Sequence, residues 1–159
     1  MLGFFKNQNK ETSPPGTLGQ ISLFSTLSQR ELRVVHSLLH DRRYMKGEII
    51  FDEGEVGQSV YIIISGRVLI CRQGEPHTGR IMSIDAGVVF GELALLDDAP
   101  RAAQARAEED SVLAALSRGD FESLLDSHVA IASKIALQLA RQLGHQLRDR
   151  SVAAERKLL

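Results

Sequence analysis

Glu92 and Arg101 stand nine positions apart in FGELALLDDAPRAAQARA, residues 90–107, a run rich in small and apolar side chains. Glu92 follows a glycine; Arg101 follows a proline and precedes Ala102 and Ala103. A guanidinium is always charged and can donate two parallel hydrogen bonds, the geometry a phosphate accepts. Gly91 lets backbone come close to a ligand, and amides opening a helical turn at Glu92–Leu95 favour an anion. Glu92 would repel a phosphate, but a carboxylate accepts well from sugar hydroxyls. The set can therefore hold a phosphate and a sugar side by side, with Ala99, Ala102 and Ala103 leaving room. The two residues can equally pair with each other and merely fix the loop. Residue chemistry alone leaves both readings open.

The elements that would position this pair are short. Between Arg42 and Ser117, apolar segments fall at Ile49–Phe51, Val60–Ile64, Val68–Cys71, Ile81–Ile84, Val88–Phe90, Ala102–Ala107 and Val112–Leu116. Glycines punctuate them, and Ser65-Gly66 is the sharpest hairpin signal. Regular short strands with turns between them predict an all-β barrel or jelly roll. A helix is expected to start at Ser28, where Ser28-Gln29-Arg30-Glu31 forms a capping box ahead of Leu32, Val35, Leu38 and Leu39. His36 and His40 are placed one turn apart on that helix and read as surface histidines, since no third metal ligand accompanies them. A longer helix, capped by Ser127, is predicted from about His128 to at least Leu147. Its stripe of Val129, Ala132, Ala136, Leu139 and Leu143, widened by Ile131 and Ile135, has heptad-type spacing. That stripe can pack on the chain's own barrel or pair with a second copy, and the homodimer is preferred. Gly144 within it costs about 1 kcal/mol relative to alanine and marks a close approach or a bend.

The expected architecture is mainly β with flanking helices: an antiparallel β-roll of jelly-roll type, with an N-terminal helix and a long C-terminal helix. Residues 1–17 read as a flexible tail with an apolar Leu2, Phe4, Phe5 tip, 18–150 as one domain, and 151–159 as a C-terminal tail. The 159 residues carry 43% hydrophobic and 25% charged side chains and a net charge of −1. Such a balance asks for neither nucleic acid nor an anionic membrane. The apolar runs are too short for a membrane span, and no signal peptide is expected, so the reading is cytoplasmic. Cys71 is the one cysteine, read as a buried, inert thiol.

Phe90-Gly91-Glu92-Leu93-Ala94-Leu95, a gap, then Arg101-Ala102-Ala103 resembles the phosphate-binding cassette of the cyclic-nucleotide-binding domain family. Lys46-Gly47-Glu48, Ile50-Phe51, Gly54-Glu55, Gly57, Tyr61-Ile62-Ile63, Gly66 and Val68 are similar to that family's turn-and-strand ladder. The resemblance covers about residues 20–150. It implies a nucleotide held inside the roll, Glu92 on the ribose 2′-hydroxyl and Arg101 on the cyclic phosphate. The backbone at Gly91 and Glu92, and Ala102 after the arginine, would complete the cradle, with Phe90, Leu93 and Ala103 part of the same motif. Ala102 favours cAMP over cGMP by the family's kinase members. Helix residues His145, Gln146 and Leu147 fall where some members reach the base, and Gln146 can hydrogen-bond a purine edge; the serine or threonine of those members is missing.

The expectation is therefore a sensor rather than an enzyme: no catalytic set, no metal, no cofactor, and a cyclic nucleotide as ligand. Binding would change the C-terminal helix or the dimer geometry and so control an unidentified partner protein, without direct DNA binding. The alternative is a ligand-independent scaffold module, marked by Glu92 and Arg101 satisfying each other. A cupin-type metalloenzyme is disfavoured, because His77 is the lone histidine of the strand region.

Overall fold

The computed structural model describes residues 15–75 and 77–157, so the Leu2, Phe4 and Phe5 tip lies outside the described residues. A short helix α1 (Pro15–Leu18) begins inside the segment expected to be tail. Proline suits a first helical turn because its missing N–H would have had no partner there. A 3-10 turn at Ser22–Phe24 then leads to α2 (Gln29–Leu38), whose capping box is formed as expected. The Ser28 hydroxyl accepts from the Glu31 amide at 3.3 Å, and the Glu31 carboxylate accepts from the Ser28 amide at 2.7 Å.

Helix α2 stops earlier than the histidine spacing assumes. Leu39 turns extended, with ψ of 139°, and His40 opens strand β1 (His40–Tyr44). His36 and His40 therefore do not share a helix face. The segment HDRRY does not announce itself as a strand because it lacks apolar alternation. It is an edge strand held by antiparallel pairing of His40–Tyr44 with Ala115–Ser111.

The later strands are β2 (Ile49–Phe51), β3 (Ser59–Ser65), β4 (Arg67–Cys71), β5 (Arg80–Asp85), β6 (Val89–Phe90), β7 (Gln104–Ala107) and β8 (Ser111–Ser117). They form, with β1, two antiparallel four-stranded sheets, ordered β1-β8-β3-β6 and β2-β7-β4-β5. This is the expected roll, with each predicted apolar segment supplying a strand. Strand β3 explains its own unbroken apolar run, since both of its faces are covered. Val60 and Ile62 join Leu116, Phe121, Ile131 and Ile135 in a core beneath the helices. Ile63 faces the roll interior with Val68, Ile84, Phe90 and Leu113. Gly66 makes the β3–β4 hairpin at φ 90°, where a Cβ would also stand 2.6 Å from the Asp110 carbonyl. No side chain fits there on either ground.

Helices α3 (Arg118–Ser127) and α4 (Val129–Arg156) close the fold. Ser117 caps α3 by accepting from the Asp120 amide. Ser127 does not cap α4: it ends α3, its hydroxyl donating back to the Ser123 carbonyl at 2.7 Å, and α4 starts without a side-chain cap. Helix α4 runs on through residues 151–156, a stretch expected to be tail; its alanines and long charged side chains favour helix. The predicted seam is largely used by the chain itself. Ala132 and Leu139 are buried, Ala136 and Leu143 pack against the same core, and Val129 stays exposed. Each large buried aliphatic side chain contributes about 1.5–3 kcal/mol. Gly144 has open space around it, with nothing within 4 Å of where a Cβ would stand, and the helix passes through it unbroken. No helix among the described residues is long and apolar enough to cross a membrane.

Candidate functional site

Arg101 is fixed by its backbone before its side chain does anything. Its amide donates to the Glu55 carbonyl at 2.7 Å, and its carbonyl accepts from the Gly54 amide at 2.8 Å. The β2–β3 loop thus holds the residue from both sides. The side chain then points inward and donates from Nη1 to the Gly91 carbonyl at 3.0 Å and from Nη2 to the Ser59 carbonyl at 2.7 Å. Nε is buried with no hydrogen-bond partner. The guanidinium carbon lies 4.0 Å from the centre of the Phe51 ring.

Gly91 and Gly57 are small for a local reason. Gly91 sits at φ 73°, and a Cβ there would be 2.7 Å from Arg101 Nη1; one at Gly57 would be 2.9 Å from Arg101 Cζ. After Gly91, residues Glu92–Leu95 make a 3-10 turn, closed by the Ala94 amide donating to the Gly91 carbonyl at 3.2 Å. The amides of Glu92 and Leu93 precede that bond and have no partner within the turn.

Glu92 does not pair with Arg101. Its Oε1 accepts from Gln146 Nε2 on α4 at 3.2 Å, and Arg101 makes no ion pair among the described residues. Burial pushes Arg101 below the ordinary guanidinium value, opposed by the nearby Tyr61, Glu55 and Glu92. The same burial pushes the Tyr61 hydroxyl up. Arg101 is thus a half-buried cation with no ion-pair partner among the described residues, and desolvation makes an anionic partner more favourable there than at the surface.

These groups surround one cavity of about 430 Å³. All eight residues singled out from the sequence line it: Phe90, Gly91, Glu92, Leu93, Arg101, Ala102, Ala103 and Gln146. Phe90 does so from within the core, its ring stacked on Tyr61 at 5.4 Å. Ile70, Met82, Ile84 and Val88 add an apolar wall, and Gln142 and Arg150 join Gln146 from α4. Those two lie four residues either side of Gln146, which the family resemblance singled out, so they share its helix face.

Arg118 supports the site from outside the cavity and is a residue that sequence reasoning missed. Its Nε donates to the Ala94 carbonyl at 2.7 Å and its Nη2 to the Gly57 carbonyl at 2.6 Å; it also holds the Asp97 carbonyl and pairs with Asp98. Its side chain is only 15% exposed. Arg118 thereby fastens the C-terminal end of the Glu92–Leu95 turn to the start of α3, where a cation also complements the turn's carbonyls. On the opposite side, Arg72 donates to the Ala102 carbonyl at 3.1 Å while pairing with Glu53. Cys71 is fully buried, and burial pushes its thiol up, as an inert core thiol requires. Among the described residues no three His, Cys, Asp or Glu side chains gather as a metal site.

A β-roll with a charged, half-open cavity beneath a long helix is built to hold a ligand. Residues 41–128 match the cyclic nucleotide-binding domain family, and the chain belongs to that family. It is 36% identical to the cyclic AMP receptor protein of Thermus thermophilus over 124 residues, 76% of this chain and 56% of that protein. It is 34% identical over 108 residues to the cAMP-dependent protein kinase regulatory subunit of Hypocrea atroviridis, covering 68% of this chain and 22% of that one. Among solved structures, a cyclic nucleotide-binding domain from Methylobacillus flagellatus superposes with a TM-score of 0.74 at 25% identity, covering 91% of this chain and 82% of that one. The chain spans about half, or less, of the length of these two curated relatives. The family is one of regulatory sensors rather than enzymes.

Proposed function

We propose that the chain senses a cyclic nucleotide, with cAMP favoured over cGMP, and passes the binding event to α4. The carrying observation is Arg101: a half-buried guanidinium lining a half-open cavity, free of any carboxylate partner among the described residues and with Nε unpaired. The cyclic phosphate takes Arg101 and the amides at Glu92 and Leu93. The ribose 2′-hydroxyl donates to Glu92. The purine lies along Ile70, Met82 and Val88 beneath Gln142 and Gln146, whose amides match the N6 and N7 edge of adenine. Relatives named for cyclic AMP support the choice of base. A scaffold that needs no ligand fits less well, because its expected mark, a Glu92–Arg101 pair, is replaced by contacts to Gln146 and to backbone.

A purine edge on the Gln146 amide draws it away from Glu92, whose carboxylate then takes the ribose hydroxyl, so ligand shifts α4 by its differential affinity for two helix positions. Movement of α4 then alters a partner protein's docking or the geometry of a homodimer. The dimer seam we propose is shifted from the one expected from the sequence. Leu137, Ala140, Gly144, Leu147 and Ser151 are spaced by three and four on the helix, and Leu137 and Leu147 are exposed. Calorimetric titration of cAMP and then cGMP into protein freed of nucleotide by unfolding and refolding tests the reading. Micromolar or tighter cAMP binding, with cGMP weaker, is expected. Folded protein that takes neither nucleotide would refute it.

A further inference from the structure

We infer that Phe51 is a positioning residue for the anion site: its ring orients the Arg101 guanidinium while leaving N–H donors for a phosphate. The identity of the anion rests on the nucleotide reading above; the platform itself rests on geometry. The guanidinium carbon stands 4.0 Å from the Phe51 centroid and 6.0 Å from that of Tyr61. Phe51 is itself braced, its centroid 5.9 Å from Tyr61 and 6.0 Å from Phe90. Two aromatic residues from β2 and β3 thus face a single cation, and Phe90 from β6 packs against both rings.

The chemistry separates this arrangement from an ion pair. A carboxylate against Arg101 would neutralise its charge and occupy its donors. A ring face attracts the cation through its quadrupole and occupies no N–H. The attraction is stronger where water is excluded, and this guanidinium is half-buried with Nε unpartnered. The glycines at 57 and 91 make room for the guanidinium against the ring, since a Cβ at either would collide with it. An aliphatic residue at 51 could fill the volume but could not fix the plane of the guanidinium or attract its charge.

The test titrates cAMP, adenosine and inorganic phosphate into the full chain as wild type, Phe51→Leu and Phe51→Trp, with thermal unfolding as a fold control. The expected result is a loss of about tenfold in cAMP affinity for Phe51→Leu. Adenosine, which lacks the phosphate, is expected to bind both proteins alike, and Phe51→Trp to recover most of the loss. Unchanged cAMP binding in Phe51→Leu, an equal loss for adenosine, or no recovery with tryptophan would overturn the platform. Should wild type ignore cAMP yet bind phosphate more tightly than Phe51→Leu does, the nucleotide reading falls and the platform stands. Wild type that binds neither anion overturns both.

Discussion

The two walls of the cavity are built differently. On the roll side, Arg101 is pinned at its amide, its carbonyl and both terminal nitrogens, and lies on a braced ring. On the helix side, the one hydrogen bond recorded from α4 into the cavity among the described residues is Gln146 to Glu92 at 3.2 Å. Leu147 beside it is 64% exposed, whereas Leu139 two turns earlier is fully buried. The roll supplies a fixed anchor for charge; the helix supplies an adjustable cover rooted at one end. A ligand that fills the cavity therefore has one wall it must fit and one it can move.

The largest expected effect falls on the fixed wall. Arg101→Ala should weaken cAMP binding by about 3 kcal/mol or more, since it removes a charge-assisted, partly buried interaction. Thermal unfolding should show the protein still folded. Next comes the root of the helix. Leu139→Ala should cost about 2–5 kcal/mol of stability, while Leu147→Ala should stay within about 0.5 kcal/mol in the monomer; chemical denaturation measures both. Equal costs would erase the distinction between the helix's two halves. Gln146→Ala should change cAMP affinity only a few-fold, on the order of 1 kcal/mol, because removing its hydrogen bond to the base is offset by releasing Glu92.

The smallest effect concerns pH. Lys134 donates to both oxygens of Glu31 at 2.9 Å, linking α4 to the cap of α2, and holds the Glu31 carboxyl below the usual carboxylate range together with the Ser28 amide. The Ser117 hydroxyl, and then His40, do the same for Asp120. Folded pKa values below the unfolded ones mean that these groups stabilise the fold above about pH 4 and cease to do so as pH falls through the folded values. Thermal stability should accordingly fall in acid, and Lys134→Ala should flatten the part of the slope that belongs to Glu31. An unchanged slope would remove Glu31 from the root of α4.

Much of this was legible in the sequence, for identifiable reasons. Strands such as Val60–Ile64 declare themselves because burial on both faces demands unbroken apolar residues. Glu92 and Arg101 were visible because each sits in a recognisable local setting, Glu92 after Gly91 at the start of a turn and Arg101 between Pro100 and two alanines. Strand β1 was not legible: HDRRY depends on pairing with β8, some seventy residues away. Nor were Phe51 under Arg101 or Arg118 across the Ala94 and Gly57 carbonyls, because both interactions exist only once distant segments of the chain are brought together. The seam of α4 is visibly apolar but its use is not visible, since period alone cannot tell a chain's own core from a second copy's helix.

Everything proposed for the cavity turns on Arg101 as the phosphate anchor. Phosphorus NMR of cAMP titrated with the nucleotide-free protein tests that role at the atom concerned. A shifted, bound phosphorus resonance is expected with wild type, and only the free resonance with folded Arg101→Ala. The same bound resonance in both proteins would contradict it.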